Sequence, residues 1–296
     1  MDIWAAQLFA GVSVASVLLL IALGLTFTFG QMNVVNMAHG EFIMVGAYTA
    51  YVVQRGLGLQ FLAVSILISL VFAFLISGAL GVLLERTVLR RLYGRPLDTL
   101  VVTWGVSLIL QQLARMIFGA PNVQVRTPGW LSGGLPVGGV TLGYSRLFIL
   151  GLVATAIIAI WIFLTRLPHG RRMRAVVQRR ELAATAGIRT HRVDATTFFI
   201  GSGLAGVAGV ALTLLGPIGP TLGTNYLVNS FLVVVVGGIG QLPGAVLAAL
   251  GLGLLNASLE FKTNASLATV LVFVAIIVFL QVRPQGLIAL RTRGLR

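Results

Sequence analysis

The residues best equipped for chemistry are Asn33, Asn36, His39 and Glu41, which crowd into one polar stretch, Gly30-Gln31-Met32-Asn33-Val34-Val35-Asn36-Met37-Ala38-His39-Gly40-Glu41. Apolar sequence flanks it on both sides. The chemistry on offer is hydrogen bonding, from two amides, an imidazole and a carboxylate. These groups are costly in lipid and face a bundle interior or water. Backbone that leaves a helix at membrane depth must likewise be buried in protein or line water. Two readings follow. The side chains cap helix ends at the cytoplasmic interface, or they form a gate or part of a substrate path. The second is the working expectation. Asn33 and Asn36, three apart, share a face if that piece is helical.

A second break, Gly237-Gly238-Ile239-Gly240-Gln241-Leu242-Pro243-Gly244, adds Gly238 and Gln241 to the candidates. Both breaks separate an inward-running span from an outward-running one, and paired interrupted segments mark translocation sites in many transporters. A third, Gly216-Pro217-Ile218-Gly219-Pro220, is expected to end the sixth span near the outer face.

Other chemistries lack their residues. No Walker A sequence is present, and the single lysine, Lys262, follows no glycine loop. His39 with Glu41 lacks zinc-hydrolase spacing. Ser202, between Gly201 and Gly203, misses the Gly-x-Ser-x-Gly nucleophile pattern. There is no cysteine, so thiolate chemistry and disulfides are absent. No metal or cofactor is expected. Glu41 and Arg115 are the only good candidates for a proton relay, which weakens a proton-coupled carrier.

The elements that must hold these residues are membrane helices. Hydrophobic residues make up 57% of the 296 positions and charged residues 9%, against roughly 25% charged in soluble domains. Spans are expected at about 5–29, 40–54, 61–84, 98–118, 146–165, 194–214, 226–238, 243–260 and 267–282, since about 20 apolar residues cross a hydrocarbon core. This is an all-α polytopic membrane protein with about eight to ten spans, discontinuous segments included. Gly201, Gly203, Gly206 and Gly209 within one span point to close helix packing. No cleavable signal is expected, since residues 1–10 lack a basic n-region. Residues 119–145 carry short alternating pieces and Gly/Pro turns, which predict a small extracellular hairpin.

The net charge of +14 would suit nucleic acid, but its distribution does not. Sixteen of the 21 Lys and Arg residues fall in three segments beside spans: Arg86 to Arg95, residues 166–192, and Arg283 to Arg296. That is positive-inside topology. It puts the N-terminus outside and the C-terminus in the cytoplasm. The 166–192 loop, RLPHGRRMRAVVQRRELAATAGIRTHR, holds eight of the arginines and predicts a helix over Met173 to Ala186 with Gly187 at C′. A structured, charged cytoplasmic loop on a chain with no nucleotide site points to an external motor.

Several motifs are similar to the permeases of branched-chain amino-acid-type ABC importers. They are Ala22-Leu23-Gly24-Leu25, Asn36-Met37-Ala38-His39-Gly40-Glu41, Gly46-Ala47-Tyr48, Gly237-Gly238-Ile239-Gly240 with Pro243-Gly244-Ala245, and Arg283-Pro284-Gln285-Gly286-Leu287. Within that family, Thr103 to Gln112, Phe118 to Val123, Pro128 to Gly133 and Asn229-Ser230-Phe231 resemble the urea-importer permease branch. Pro168-His169-Gly170 departs from the family's aliphatic residue before the glycine. The resemblance implies one transmembrane permease domain over 1–296 in a bacterial inner membrane. It implies three kinds of partner besides lipid: a second homologous permease, two ATP-binding subunits and an extracytoplasmic binding protein. No nucleic-acid partner is expected, given the charge distribution. It makes Glu181 to Ile188 a coupling helix, with Arg174, Arg179, Arg180, Glu181, Ala184 and Gly187 as ATPase-coupling residues. The cargo it implies is urea or a short amide, for which Asn33, Asn36, Gln111, Gln112 and Asn225 would supply donors and acceptors. The alternatives are branched-chain amino acids in the same machine, and a passive urea or water channel acting alone.

Overall fold

The computed structural model describes residues 2–32, 35–137 and 140–288. Among them, nine apolar helices match the nine expected spans. They are α1 (Asp2–Met32), α2 (His39–Leu57), α3 (Leu62–Thr87), α4 (Pro96–Phe118), α5 (Tyr144–Arg166), α8 (Thr190–Thr213), α9 (Leu222–Gly237), α10 (Leu242–Lys262) and α11 (Ala265–Val282). Two more helices, α6 (Pro168–Gln178) and α7 (Arg180–Thr185), lie in the basic segment. Seven of the nine are long and apolar enough to cross a bilayer. The exceptions are α2, diluted by His39, Glu41, Gln54 and Arg55, and the 16-residue α9. The chain is a polytopic membrane protein. The expected hairpin is present as β1 (Gly134–Val137) and β2 (Val140–Gly143), antiparallel with Leu135 opposite Leu142.

The predicted continuous helix Met173 to Ala186 is instead two helices. Arg179 breaks it with an extended backbone, φ −153° and ψ 96°. The break lets α7 turn so that Arg180 reaches Asp194 at the start of α8. Gly187 ends α7 as expected, at φ +81°. Its N–H reaches the Ala184 carbonyl, and that of Ile188 reaches Ala183. This is a Schellman closure, which requires a left-handed residue at C′.

Helix α8 is the hub of the bundle, packed on α1, α2 and α3. Its glycines let backbones touch. A Cβ at Gly206 would lie 2.5 Å from the Ala73 carbonyl oxygen, and one at Gly46 would overlap the Gly206 backbone. Without water in the hydrocarbon core, such close packing is a main source of helix association. Gly46→Val should therefore lower the thermal midpoint of the purified protein sharply, since overpacking costs about 1–3 kcal/mol even where neighbours can yield. Gly151→Ala, where an added Cβ meets nothing within 4 Å, should leave the midpoint unchanged. Equal midpoints in a thermal-shift assay would refute the packing role of Gly46.

The two polar breaks meet in space. Gly30, at the end of α1, packs against Gly240 in the α9–α10 turn. The segment after α11 straps this turn, with the Leu287 N–H donating to the Val236 carbonyl at 2.7 Å. The third break ends α8 as expected. Ile218 pairs there with Val123 through two backbone hydrogen bonds of 2.8 Å.

Candidate functional site

Helix α2 starts inside the bundle. The Ser77 hydroxyl donates to the Phe42 carbonyl at 3.1 Å. Ser77 lies about 22 Å along α3 from Leu62 and about 15 Å from Thr87, at 1.5 Å per residue. The first turn of α2 is thus near the middle of the membrane. Helix α1 runs on for about 12 Å past Gly24, the residue beside the His39 ring. The chain then re-enters to begin α2. Helix α9 starts at the same depth, because Gly223 packs directly on Gly40. The N-termini of two part-length helices meet at mid-membrane, each with a partial positive charge.

Glu41 sits at this junction, 1% exposed. Its Oε1 accepts hydrogen bonds from Ser107 Oγ at 2.8 Å, Gln111 Nε2 at 2.9 Å and Thr224 Oγ1 at 3.4 Å. Gln111 Nε2 also donates to Thr224 Oγ1 at 3.0 Å. One carboxylate oxygen thereby ties α2 to α4 and α9. The α4 donors belong to a stripe at four-residue spacing, Thr99, Thr103, Ser107 and Gln111, all buried on one face. Thr103 Oγ1 accepts the Met37 N–H at 3.0 Å, and Asn36 Oδ1 accepts the Ala38 N–H at 3.0 Å. These bonds satisfy the re-entrant backbone at membrane depth, as it must be.

Some buried polar atoms here have no partner among the described residues: Asn36 Nδ2, both His39 ring nitrogens and Glu41 Oε2. A buried unsatisfied group costs about 1–3 kcal/mol. They cluster within six positions, Asn36 to Glu41, where a settled core would pair such groups.

Of the expected path residues, Asn36, His39, Glu41 and Gln111 come together at this junction. Asn33 lies outside the described residues. Gln112 points away from Glu41 and is exposed, its Oε1 accepting from Arg115 at 3.3 Å. Asn225, in the first turn of α9, is also exposed, as is Thr224. Polar side chains uncovered at this depth require protein or water beside them, since lipid solvates neither amide nor hydroxyl. Gly238 and Gln241 are not at the junction. They form the α9–α10 turn near the arginine-rich face, where Gly238 has φ +100° and its carbonyl accepts the Gln241 N–H. Thr99, Thr103, Ser107 and Thr224 were missed, although the four-residue spacing on α4 is visible in the sequence.

The basic segment builds a second site. The Arg180 guanidinium forms a bidentate pair with Asp194, whose side chain is 3% exposed, and lies 5.4 Å from the Tyr93 ring centroid. The Tyr93 hydroxyl donates to Glu85 at 3.0 Å. The Asp194 carboxylate holds the Arg180 guanidinium above its usual range. Burial first, then the Asp194 and Glu85 charges, push the Tyr93 phenol well up, so it stays a neutral donor. Arg180 thus anchors α7 to α8 and to the end of α3. Arg174, Arg179, Glu181, Ala184 and Gly187 remain exposed around it, and Leu182 presents 58% of its surface. The result is a short helix that shows a leucine between charges and is fixed at its base by an ion pair.

Residues 7–280 match the family described as branched-chain amino acid transport system / permease component. The chain is 31% identical over 290 residues to the high-affinity branched-chain amino acid transport system permease protein LivH of Salmonella typhimurium, covering 95% of this chain and 94% of the relative. It is 30% identical to BraD of Pseudomonas aeruginosa, a permease protein of a system so named, with the same coverage. It is 28% identical over 298 residues to the Salmonella typhimurium permease protein LivM, covering 91% of this chain and 67% of the relative. No solved structure matches the chain.

Proposed function

Because this chain belongs to the branched-chain amino acid transport system / permease component family, we propose that it is a non-enzymatic permease subunit of an ATP-driven importer in a bacterial inner membrane. Its cargo on this reading is a branched-chain aliphatic amino acid. The urea branch expected from Thr103 to Gln112 and neighbouring motifs finds no support in the comparisons, which favour the amino-acid alternative.

The observation that carries the reading is the mid-membrane junction itself. Part-length helices with converging N-termini suit the carboxylate of a zwitterion, and Glu41 beside them suits its ammonium group. In this state Glu41 is shut behind α4, so substrate access requires α4 to part from α2 and α9. The uncovered Gln112, Thr224 and Asn225 mark the face that a second permease, or water in a path between the two, would cover. Similarity to both LivH and LivM, two permeases bearing one system's name in a single organism, supports a related but distinct partner. With the basic loops inside, α7 faces the cytoplasm, where two ATPase subunits would grip it. A binding protein would deliver cargo from the other side.

Uptake competition tests the cargo. Deleting this chain's gene should abolish high-affinity uptake of labelled leucine and leave urea uptake intact. Loss of urea uptake with leucine uptake retained would reverse the assignment.

The coupling role has its own test. Gly187→Val forces a β-branched residue to φ +81° and should unseat the end of α7. The strain is about 1–3 kcal/mol. The complex should still assemble, with ATP consumed per substrate moved rising severalfold. Unchanged stoichiometry in proteoliposomes would count against α7 as the coupling element.

A further inference from the structure

A cavity of about 760 Å³ opens beside α7, between α3, α5, α6 and α8. Four arginines line it, Arg86, Arg172, Arg189 and Arg192, together with His169. None of the chain's seven acidic residues does. Asp194, close by on α8, is turned to Arg180, and neither ion pair among the described residues uses the four lining arginines. Helices α6 and α8 begin at its edge, and neither has an acid in its first turn. Their positive ends add to the guanidinium charge rather than offset it. Apart from Thr196, the remaining side chains of the wall are apolar, with Phe163 of α5 and Phe199 of α8 the largest. Leu83 and Ile162, next to that wall in sequence, are 57% and 43% exposed on membrane-spanning helices. The cavity thus joins an uncompensated cationic rim to an apolar wall at the end of the spans.

We propose that this cavity binds the phosphate headgroup of an anionic phospholipid. Arginine forks match phosphate oxygens, and basic pockets between spans are suited to lipid headgroups. A free phosphate would use the same rim, but it gains nothing from the Phe163–Phe199 wall, whereas acyl chains do. A protein carboxylate would leave that wall equally idle. Gly187, Ile188 and Arg189 form part of the lining, directly after α7, so a bound headgroup braces the helix offered to the motor. The binding claim is independent of the cargo.

The test is native mass spectrometry on the purified full-length chain, with phosphatidylglycerol, phosphatidylethanolamine or inorganic phosphate added. One phosphatidylglycerol should be retained in preference to phosphatidylethanolamine, and released by high salt. The R172Q/R189Q/R192Q variant, with three cations removed from the rim, should retain it about a hundredfold less. R172K/R189K/R192K keeps the charge, and should stay within a few-fold of the original protein. R171Q, outside the lining, should match it. If the glutamine variant fails to fold, salt release from the unaltered protein decides. Equal retention of both lipids, or undiminished retention in a folded glutamine variant, would overturn the proposal. Displacement by inorganic phosphate at equal concentration would assign the rim to a soluble anion and overturn the lipid source. Displacement by purified ATPase subunits would assign it to a protein partner, with the same consequence.

Discussion

Glu41→Ala should cut ATP-driven uptake by about a hundredfold without removing the protein from the membrane. The carboxylate is the common acceptor for Ser107, Gln111 and Thr224. Its removal leaves the buried α4 donors Ser107 and Gln111 facing a void. Each unsatisfied group costs about 1–3 kcal/mol, so the combined loss is on the order of 3 kcal/mol, or about two decades in an equilibrium. The α2–α4–α9 junction would no longer hold one closed arrangement. Glu41→Gln keeps an acceptor oxygen at the same place and removes the charge. It should retain the fold and lose about tenfold in uptake, the charge being the part proposed to meet the substrate's ammonium group. Because Gln111 acts through the same carboxylate, Glu41→Ala/Gln111→Ala should be no worse than Glu41→Ala alone. Measured as uptake per permease detected in the membrane, additive losses would contradict the shared junction.

Asp194→Ala carries the second large effect, and it should fall on coupling rather than on the pore. The Asp194 side chain is almost wholly buried, while that of Arg180 is 46% exposed. Losing one partner of a fully buried pair costs about 3–5 kcal/mol. Solvent around Arg180 reduces this to about 2 kcal/mol. Freed from Asp194, Arg180 keeps its stacking on Tyr93, and α7 loses the ion pair that fixes its base to α8. The expected phenotype is ATP hydrolysis near the normal rate with uptake down tenfold or more. Arg180→Ala should behave alike, whereas Arg179→Ala, an exposed neighbour with no ion pair among the described residues, should be mild. A parallel fall of hydrolysis and uptake in Asp194→Ala would indicate lost assembly instead and refute the anchor.

Seven spans were legible because apolar runs of that length have one use, α2 and α9 as shorter apolar pieces beside polar breaks, and the hairpin because Gly and Pro punctuate short alternating pieces. The depth of α2 was not. From the sequence, Asn36 and Glu41 fitted either an interface cap or a membrane-depth break. Only the contacts of Ser77 with Phe42 and of Gly223 with Gly40 separate the two. Those contacts depend on how α3 and α9 pack, which no local pattern encodes. The stripe of Thr99, Thr103, Ser107 and Gln111 was readable as period-four polarity inside an apolar helix. It names its face but not its partner. In the basic loop, charge density drew attention to every arginine alike. Arg180 differs from Arg179 only through Asp194, fourteen positions away and one turn into α8, so the split between α6 and α7 was hidden as well. Gly187 was the exception, because a glycine closing a short helix has a local conformational reason to be there.

The central claim is that this chain is a conduit for aliphatic amino acids with no engine of its own. Its most direct test is labelled leucine uptake into proteoliposomes that contain this chain alone, or with the related permease, the ATPases and the binding protein. The account predicts uptake only in the full assembly with ATP, and its loss when any one component is withheld. Leucine or urea flux through the chain alone, without ATP, would contradict it.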